Sequence, residues 1–340
     1  MSEDHGDRDH ASMLIIRAIA DAVRDAGHDP AAVLAAGGLA PEDLDDLDRM
    51  IGFDDEEAIW RAARRVTADP ALGLNAALAL RRGRFGALEH AMRHSANLTE
   101  AIQRLARFGR LLHGTRLFEF VPRSEGGAAL LYHCPHSEDL VETVGDFALG
   151  AVLRTVNDAT ATKLDVRAVY LARRAPADRA AYESVFGPNV RFDAPEWRLE
   201  LSAITLATPM HGADASLVEV LDAYLERDLE ALDANEGFLA RLHDAIRAHL
   251  VDGESSIAAV ARDLGLGERT LQRRLSDADT TYTDELDFLR REIAQRLLAR
   301  PDVTIEGVAL VLGYGEVSSF HRAFRRWTGT TPGRFRRSVA

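Results

Sequence analysis

Near the carboxyl end, the pattern of apolar and polar positions predicts two helices joined by a sharp turn. Apolar residues recur at helical spacing from Ile305 to Leu312. The segment Gly313 to Gly315 then interrupts the pattern, before a second helix that turns Phe320 and Phe324 inward. A glycine at the interruption suits a backbone position with positive φ, which other residues adopt at a cost. The pattern predicts a helix-turn-helix unit, residues 305–327, whose second helix is the recognition helix.

The same unit occurs a second time, 48 positions upstream. Seven residues of the two units match in identity and order, and the upstream members are Ile257, Val260, Ala261, Leu264, Gly265, Gly267 and Glu268. Between the units, residues 283–300 begin with acidic side chains, end with arginines and precede Pro301, a pattern that predicts one continuous helix. The carboxyl end is therefore predicted to contain two helix-turn-helix units, residues 257–276 and 305–327, joined by a long helix.

This tandem closely resembles the DNA-binding domain of the AraC/XylS transcription regulators. The resemblance rests on the motifs TLQRRL, VALVLGY, FHRAFRRWTG and TPGRFRR, and it covers about the last hundred residues. It implies an all-α domain, residues 238–340, whose recognition helices enter successive major-groove segments of double-stranded DNA, roughly 34 Å apart. The function it implies is transcription regulation rather than catalysis, with activation and repression both left open.

Candidates for base contact lie on the faces of the recognition helices that the core leaves free. Because Leu271 and Leu275 must face the core, Arg269, Gln272 and Arg273 project to the opposite side. Arginine pairs with guanine and glutamine with adenine in the major groove, and the family pattern assigns base contact to these three positions. In the second unit the corresponding candidates are Val317, Ser318, His321 and Arg322. Ordinary solvated surface is the alternative role for the arginines.

The charge distribution adds candidates for phosphate contact. The whole chain carries a net charge of −13, which argues against a nucleic-acid partner, but residues 241–340 contain 16 arginines and 14 acidic residues. Residues 322–337 contain six arginines and no acidic residue. Phosphate contact needs a local basic patch rather than a basic chain. The predicted phosphate contacts are Arg274, Arg325, Arg326, Arg336 and Arg337, with solvated charge as the alternative, and Trp327 is expected in the core.

The first two thirds of the chain have a mixed pattern of helices and strands. Helical periodicity covers residues 13–26, 54–67, 71–81, 87–93, 99–113, 138–157 and 177–186. Short β-prone runs cover residues 116–122, 128–134, 164–171, 190–192 and 198–201, and the first two flank a Gly-containing turn typical of a hairpin. Helices with antiparallel strands predict an α+β domain, residues 11–210, so that the chain is multidomain.

A second resemblance concerns this α+β domain. The segment FGPNVRFDAPEWRLELSAITLATPM, residues 186–210, resembles the amino-terminal sensing domain of a subgroup of AraC regulators, which is labelled arabinose-binding by analogy. The resemblance implies a domain that binds a small-molecule effector, forms a homodimer and has a fold related to haem-NO-binding sensors. The effector and the residues that bind it are not assigned. Residues 1–10 are predicted to be a mobile tail, and residues 211–237 a linker with a helix over 217–232 and a break at 233–237.

Other chemistries find little support in the sequence. Cys134 is the only cysteine, so a disulfide within the chain or a cysteine-based zinc site is excluded, and an inert thiol is favoured over a redox switch. The chain has no Gly-rich phosphate loop, GxSxG or HExxH motif, and His90 and His94 are interpreted as structural. No enzyme activity, metal or cofactor is expected. With no membrane-length apolar run and an acidic amino end, a cytoplasmic protein without a membrane partner is predicted.

These patterns predict a sequence-specific regulator that responds to a small-molecule effector. Its expected partners are operator DNA, the effector and a second copy of the chain, with RNA polymerase as a further candidate. Two alternatives stay open: a haem or gas sensor, and a DNA-binding regulator without a small ligand that is controlled by a protein partner.

Overall fold

The computed structural model describes residues 10–46, 49–160, 164–251, 255–278, 280–300 and 303–339. The chain divides into two compact units, Met1–Glu230 and Ala231–Ala340. Nine residues of the predicted mobile tail lie outside the described residues. The tenth, His10, pairs with Gly52 in a short antiparallel ribbon, so its assignment to the tail was wrong.

The first unit combines helices with a mixed sheet. Its helices are α1 (Met13–Asp25), α2 (Ala31–Leu34), α3 (Phe53–Thr67), α4 (Leu72–Leu78), α5 (Gly86–Arg93), α6 (Leu98–Phe108), α7 (Val141–Ala159), α8 (Arg179–Phe186) and α9 (Ala203–Leu206). Its strands are β1 (His10–Ser12), β2 (Met50–Gly52), β3 (Phe118–Pro122), β4 (Ala128–Tyr132), β5 (Ala168–Tyr170), β6 (Val190–Arg191) and β7 (Trp197–Leu201). This composition confirms the predicted α+β class.

The sheet has the strand order β3-β4-β7-β5-β6 within the described residues. The predicted hairpin is confirmed, with Phe118 opposite Tyr132 across β3 and β4. Strand β7 pairs antiparallel with both β4 and β5, whereas β5 and β6 run parallel. The ribbon of β1 and β2 was not predicted, because strands of three residues are too short to show an alternating pattern.

Helix α7 lies at the centre of the first unit and contributes to two apolar clusters. Its residues Leu149 and Val156 pack in the cluster that contains the sheet, whereas Phe147 packs with helices α1 and α3. Gly73 on α4 and Gly150 on α7 let these two helices approach closely. A Cβ atom on Gly73 would lie 1.9 Å from the carbonyl oxygen of Thr143, a separation that no packed structure tolerates.

A single helix, α10 (Ala215–Val251), covers the segment in which a break was predicted. The prediction at residues 233–237 was wrong, because one glycine inside a helix costs only about 1 kcal/mol relative to alanine. Burial of Phe238, Leu242 and Ile246, just downstream on the same helix, outweighs that cost. At its start, α10 is held to α6 by Asp222, whose carboxylate lies 2.9 Å from a guanidinium nitrogen of Arg104.

The second unit is all-α in its described residues and confirms the predicted tandem arrangement. After α10 it contains α11 (Ile257–Asp263), α12 (Glu268–Asp277), α13 (Tyr282–Leu298), α14 (Ile305–Val311), α15 (Val317–Thr328) and α16 (Pro332–Val339). Gly265 and Gly313 have φ angles of 67° and 76° at the two turns, as the repeat predicted for Gly313. Each helix-turn-helix therefore bends at a glycine.

Helix α13 joins the two helix-turn-helix units by contributing to both of their cores. Leu289 packs in the core of the first helix-turn-helix unit, whereas Ala294 and Leu298 pack in the core of the second helix-turn-helix unit. The side chain of Arg290 donates from Nε to the carbonyl oxygen of Leu312 at 3.0 Å, and its guanidinium lies 4.8 Å from the centre of the Tyr314 ring. These contacts position the second turn against the connecting helix.

Candidate DNA-binding surface and ligand cavity

The first recognition helix, α12, has one buried and one exposed face. Leu271 and Leu275 are 0% and 1% exposed, so they fix which side of the helix faces the core. Arg269, Gln272 and Arg273 are exposed, and none of their side chains has a hydrogen-bonding partner in the described part of the chain. Two guanidinium groups and one amide are thus available on one helix face, the groups that pair with guanine and adenine edges.

The second recognition helix, α15, follows the same plan with smaller polar groups. Ser318 and Arg322 are exposed, and a guanidinium nitrogen of Arg322 donates to Ser319 Oγ at 3.1 Å. His321 is half-buried, with its ring edge-to-face against Phe320 at 6.2 Å. Val317 was predicted to project outward. Instead it is half-buried and packs against the second core, because it begins the helix directly beside the turn.

The arginines predicted to contact phosphate differ in how they are held. Arg325 and Arg337 are exposed, and the guanidinium of exposed Arg274 lies 5.6 Å from the Phe238 ring centre. Arg326 is exposed and pairs with Asp287. Arg336 was also predicted to contact phosphate, but it is half-buried, and Trp327 packs in the core of the second helix-turn-helix unit as expected.

Arg336 is half-buried and its guanidinium is engaged within the second unit. Its Nε donates to the carbonyl oxygen of Leu298 at 3.2 Å, and a terminal nitrogen donates to that of Val303 at 2.7 Å. Leu298 is the last residue of α13, where helical backbone lacks internal partners, and Val303 lies in the connection to α14. The side chain therefore closes this helix end instead of projecting freely toward a phosphate.

A cavity of about 70 Å³ lies inside the first unit. Its wall is mostly apolar and includes Trp60, Phe85, Met92, Leu105, Phe118 and Phe147. One water needs about 10–15 Å³ by this measure, so roughly five waters would fill the space. Helices α1, α3, α5, α6 and α7 and strands β3 and β4 all contribute to the wall.

Three buried polar side chains meet at one part of this wall. One carboxylate oxygen of Glu56, Oε2, lies 2.8 Å from His113 Nε2, and the other, Oε1, lies 3.3 Å from His136 Nε2. Trp60 Nε1 donates to Glu56 Oε1 at 3.2 Å. The side chains of Glu56, His113 and His136 are each 1% exposed. Two imidazoles therefore face a single carboxylate beside an apolar cavity.

The ionisation of this cluster follows from its mutual contacts. Burial opposes the charge on Glu56, but the charges of His136 and His113 outweigh it and hold the pKa of the carboxyl below its ordinary value. Burial likewise opposes protonation of His136, but the nearby Glu56 carboxylate raises the pKa of the imidazole to about 10. The ionised carboxylate and protonated imidazole thus stabilise each other.

The sequence alone did not indicate a role for these three residues, although one of them lies in a recognisable pattern. Glu56 lies on the same face of α3 as the buried residues Ile59, Trp60 and Ala63, where a carboxylate is out of place. The two histidines lie in connections between elements, and His113 is 57 residues from Glu56. Only the folded chain brings them together.

The other polar residues considered from the sequence lie apart from this cluster or beside it. The rings of His90 and His94 stack at 6.2 Å; His90 is exposed and His94 is half-buried. Cys134 is half-buried, with Sγ 3.9 Å from His136 Nδ1. Among the described helices, none has the length and apolar character needed to cross a membrane.

Comparisons with known proteins agree with both units. A family model described as the arabinose-binding domain of AraC transcription regulator matches residues 27–210, and a helix-turn-helix domain model matches residues 240–338. The ornithine utilization regulator of Pseudomonas aeruginosa is 30% identical over 330 residues, which cover 94% of each chain. The regulator VirS of Mycobacterium tuberculosis is 34% identical over 157 residues, 46% of each chain.

Among solved structures, the transcriptional regulator CdpR from Pseudomonas aeruginosa is 22% identical, with a TM-score of 0.46 over 95% of this chain and 98% of that one. The first family model covers more than half of the chain, and the helix-turn-helix match covers the tandem unit described above. The chain therefore belongs to the AraC family of DNA-binding transcription regulators.

Proposed function

We propose that the protein binds specific operator sequences as a homodimer and that a small molecule bound in its first unit changes this binding. In this proposal residues 11–210 sense the effector and dimerise together with the start of α10, residues 211–237 connect the two units, and residues 238–340 bind DNA in the cytoplasm. The observation that most directly supports DNA binding is the exposed polar face of α12, which lies opposite the buried Leu271 and Leu275.

We assign base contact to the exposed side chains of the recognition helices and positioning to the surrounding arginines. The base contacts are Arg269, Gln272, Arg273, Ser318, His321 and Arg322, with Val317 contributing its exposed edge. Arg274, Arg325, Arg326 and Arg337 contact phosphates, which fix the register of the protein on DNA but do not distinguish sequences. Arg336 is left out of this set, because its guanidinium is already bonded to backbone carbonyls.

The cavity in the first unit supports the choice of effector class. Its wall is largely apolar, with Glu56, His113 and His136 grouped at one place. Binding pockets usually combine an apolar wall with a few polar groups that fix orientation. The cavity suits a small, mostly apolar molecule with one polar group. A larger effector has to displace side chains of the wall, and such displacement gives binding a way to alter the packing of α7.

Self-association is supported by an exposed apolar stripe on α10. Leu217, Val220 and Tyr224 are 37%, 66% and 44% exposed and lie three and four residues apart, on one face of the helix. A second copy of the chain would cover this stripe. Sedimentation equilibrium should show a dimer that Val220→Glu weakens, whereas Glu219→Gln, the neighbouring exposed position, leaves it intact. An unchanged dimer in Val220→Glu would place the interface elsewhere.

The proposal as a whole is tested by finding the operator and then the effector. Genomic immunoprecipitation gives bound sequences, and thermal-shift screening against metabolites of the adjacent operon gives candidate effectors. Ala151→Leu, which fills the cavity wall on α7, should abolish the thermal shift and the effector response while basal operator binding persists. Ala32→Leu, the same change at an exposed position on α2, should respond like the wild type. An effector response retained in Ala151→Leu would show that the cavity is not the sensing site.

A further inference from the structure

We propose that Glu56, His113 and His136 form a binding site for one divalent ion of the zinc class at the wall of the cavity. The site goes beyond the proposed function and does not depend on it. A ligand atom from each of the three side chains lies within 4.8 Å of the others, and all three side chains are buried. From the sequence alone no metal site was expected, because the three donors lie on separate parts of the chain.

The orientation of both imidazoles directs the same ring nitrogen, Nε2, toward the carboxylate. Nδ1 of His136 lies 3.9 Å from Cys134 Sγ, which leaves Nε2 on the side of Glu56. Phe53 holds both rings, with centroid distances of 5.5 Å to His113 and 4.9 Å to His136. Such packing preorganises the donors, since the rings have little freedom to turn away.

The hydrogen bonding of the cluster is incomplete, which points to a missing ligand. The buried Nε2 of His136 forms an ion pair with Glu56 Oε1 at 3.3 Å whose geometry falls short of a hydrogen bond, and Nδ1 of His113 also has no hydrogen bond within the described residues. Buried polar atoms in native proteins nearly always have a partner. An ion between the carboxylate and the two Nε2 atoms would satisfy Nε2 of His136 and would replace the proton that otherwise joins Glu56 to the histidines. Trp60 Nε1, which donates to Glu56 Oε1, would then orient the ligating carboxylate.

The donor set selects the class of ion. Two imidazole nitrogens and one carboxylate oxygen match zinc sites that keep a position open for a further ligand, and they also suit other late first-row divalent ions. Magnesium and calcium prefer sites made of oxygen atoms and should bind poorly. Because the three side chains also line the cavity, the remaining coordination positions face the space open to a small molecule.

The test uses the full-length protein, freed of metal with a chelator and then desalted. Calorimetric titration with Zn²⁺ should show one equivalent bound per chain, and Mg²⁺ should give no binding. Loss of an outer partner of a metal ligand typically costs about 10–100-fold in affinity, so removal of a ligand in Glu56→Gln or His136→Asn should cost at least about 100-fold. His94→Gln, at a half-buried histidine, and His133→Asn, at an exposed one, lie outside the cluster and should bind as the wild type does.

A second measurement avoids the risk that the buried variants fail to fold. Zinc-edge X-ray absorption of the wild-type complex should show nitrogen or oxygen neighbours at about 2.0–2.1 Å with imidazole scattering. A sulfur neighbour at about 2.3 Å would instead place the ion on Cys134. Absence of stoichiometric Zn²⁺ binding to the wild type, or its loss in the His94 or His133 control rather than in Glu56→Gln, would overturn the proposal and leave the cluster as a buried ion pair.

Discussion

Two arginine substitutions should separate base recognition from phosphate contact in the second unit. Arg273 projects from the face of α12 opposite its buried leucines, and Arg325 projects from the last turn of α15. Both side chains are exposed, and alanine is a good helix former, so neither Arg273→Ala nor Arg325→Ala should disturb the fold. Changes in DNA affinity can then be attributed to the lost contact.

The expected magnitudes differ in kind for the two variants. A bidentate arginine–guanine contact is worth about 1–3 kcal/mol of discrimination, so Arg273→Ala should raise Kd on the operator by roughly 5–150-fold. Arg325→Ala should remove one phosphate contact and reduce the slope of log K against log salt by about 0.9. Between 50 and 200 mM salt, the wild type should therefore lose about 3.5-fold more affinity than Arg325→Ala loses.

Fluorescence anisotropy with operator and scrambled duplexes, at four salt concentrations, measures both effects. Arg273→Ala should weaken operator binding, relax preference at one base pair and leave scrambled DNA almost unchanged. Arg325→Ala should weaken both duplexes equally. Arg241→Ala, an exposed arginine on α10, is the matched control and should bind as the wild type does. An equal loss on both duplexes for Arg273→Ala would remove Arg273 from the base-contacting set.

Three further predictions concern stability, each measured by urea denaturation. Gly237→Ala should stabilise the chain by about 0.5–1 kcal/mol, because Gly237 is inside α10 with open space around it, and a decrease would contradict the continuous helix. Burial raises the pKa of Asp146 to about 6 despite the nearby Arg173. Because the folded state therefore favours the protonated carboxyl, the contribution of Asp146 to the free energy of unfolding is fully present below pH 3.8 and is lost as pH rises through about 6. The loss, at most about 3 kcal/mol, should disappear in Asp146→Asn. Arg336→Ala should cost about 1–3 kcal/mol by leaving two carbonyls without their donor, whereas Arg337→Ala should stay within about 0.5 kcal/mol.

The helix-turn-helix units could be predicted because local sequence determines most of their structure. Leu271, Leu275, Phe320 and Phe324 are buried as the helical pattern required, and Gly313 has the positive φ expected at the turn. Each feature depends on residues close together in the chain. Because the unit occurs twice, the same pattern of apolar residues and glycines could be compared between the two copies, which fixed the boundaries of both helix pairs.

Features that depend on distant contacts could not be predicted. The continuity of α10 across Gly237 follows from the burial of Phe238 and Leu242, whereas the local sequence shows only a glycine that follows the polar residues Asn235 and Glu236. The bonds of Arg336 depend on carbonyls 33 and 38 residues away, so its pattern is the same as that of an exposed arginine. In both cases tertiary packing outweighs the local preference.

Buried charged residues give the clearest contrast between structural and functional roles in the first unit. The carboxylate of Asp146 accepts from Tyr182 at 2.6 Å and pairs with Arg173 through one oxygen, Oδ2, while its Oδ1 has no hydrogen bond within the described residues. Glu56 also lies on a buried helix face, but its cluster lines the cavity, whereas the cluster of Asp146 does not. Folded proteins retain such departures from apolar packing mainly at functional sites. An unsatisfied polar cluster beside empty space is therefore the part of the first unit where a ligand would change the energy most.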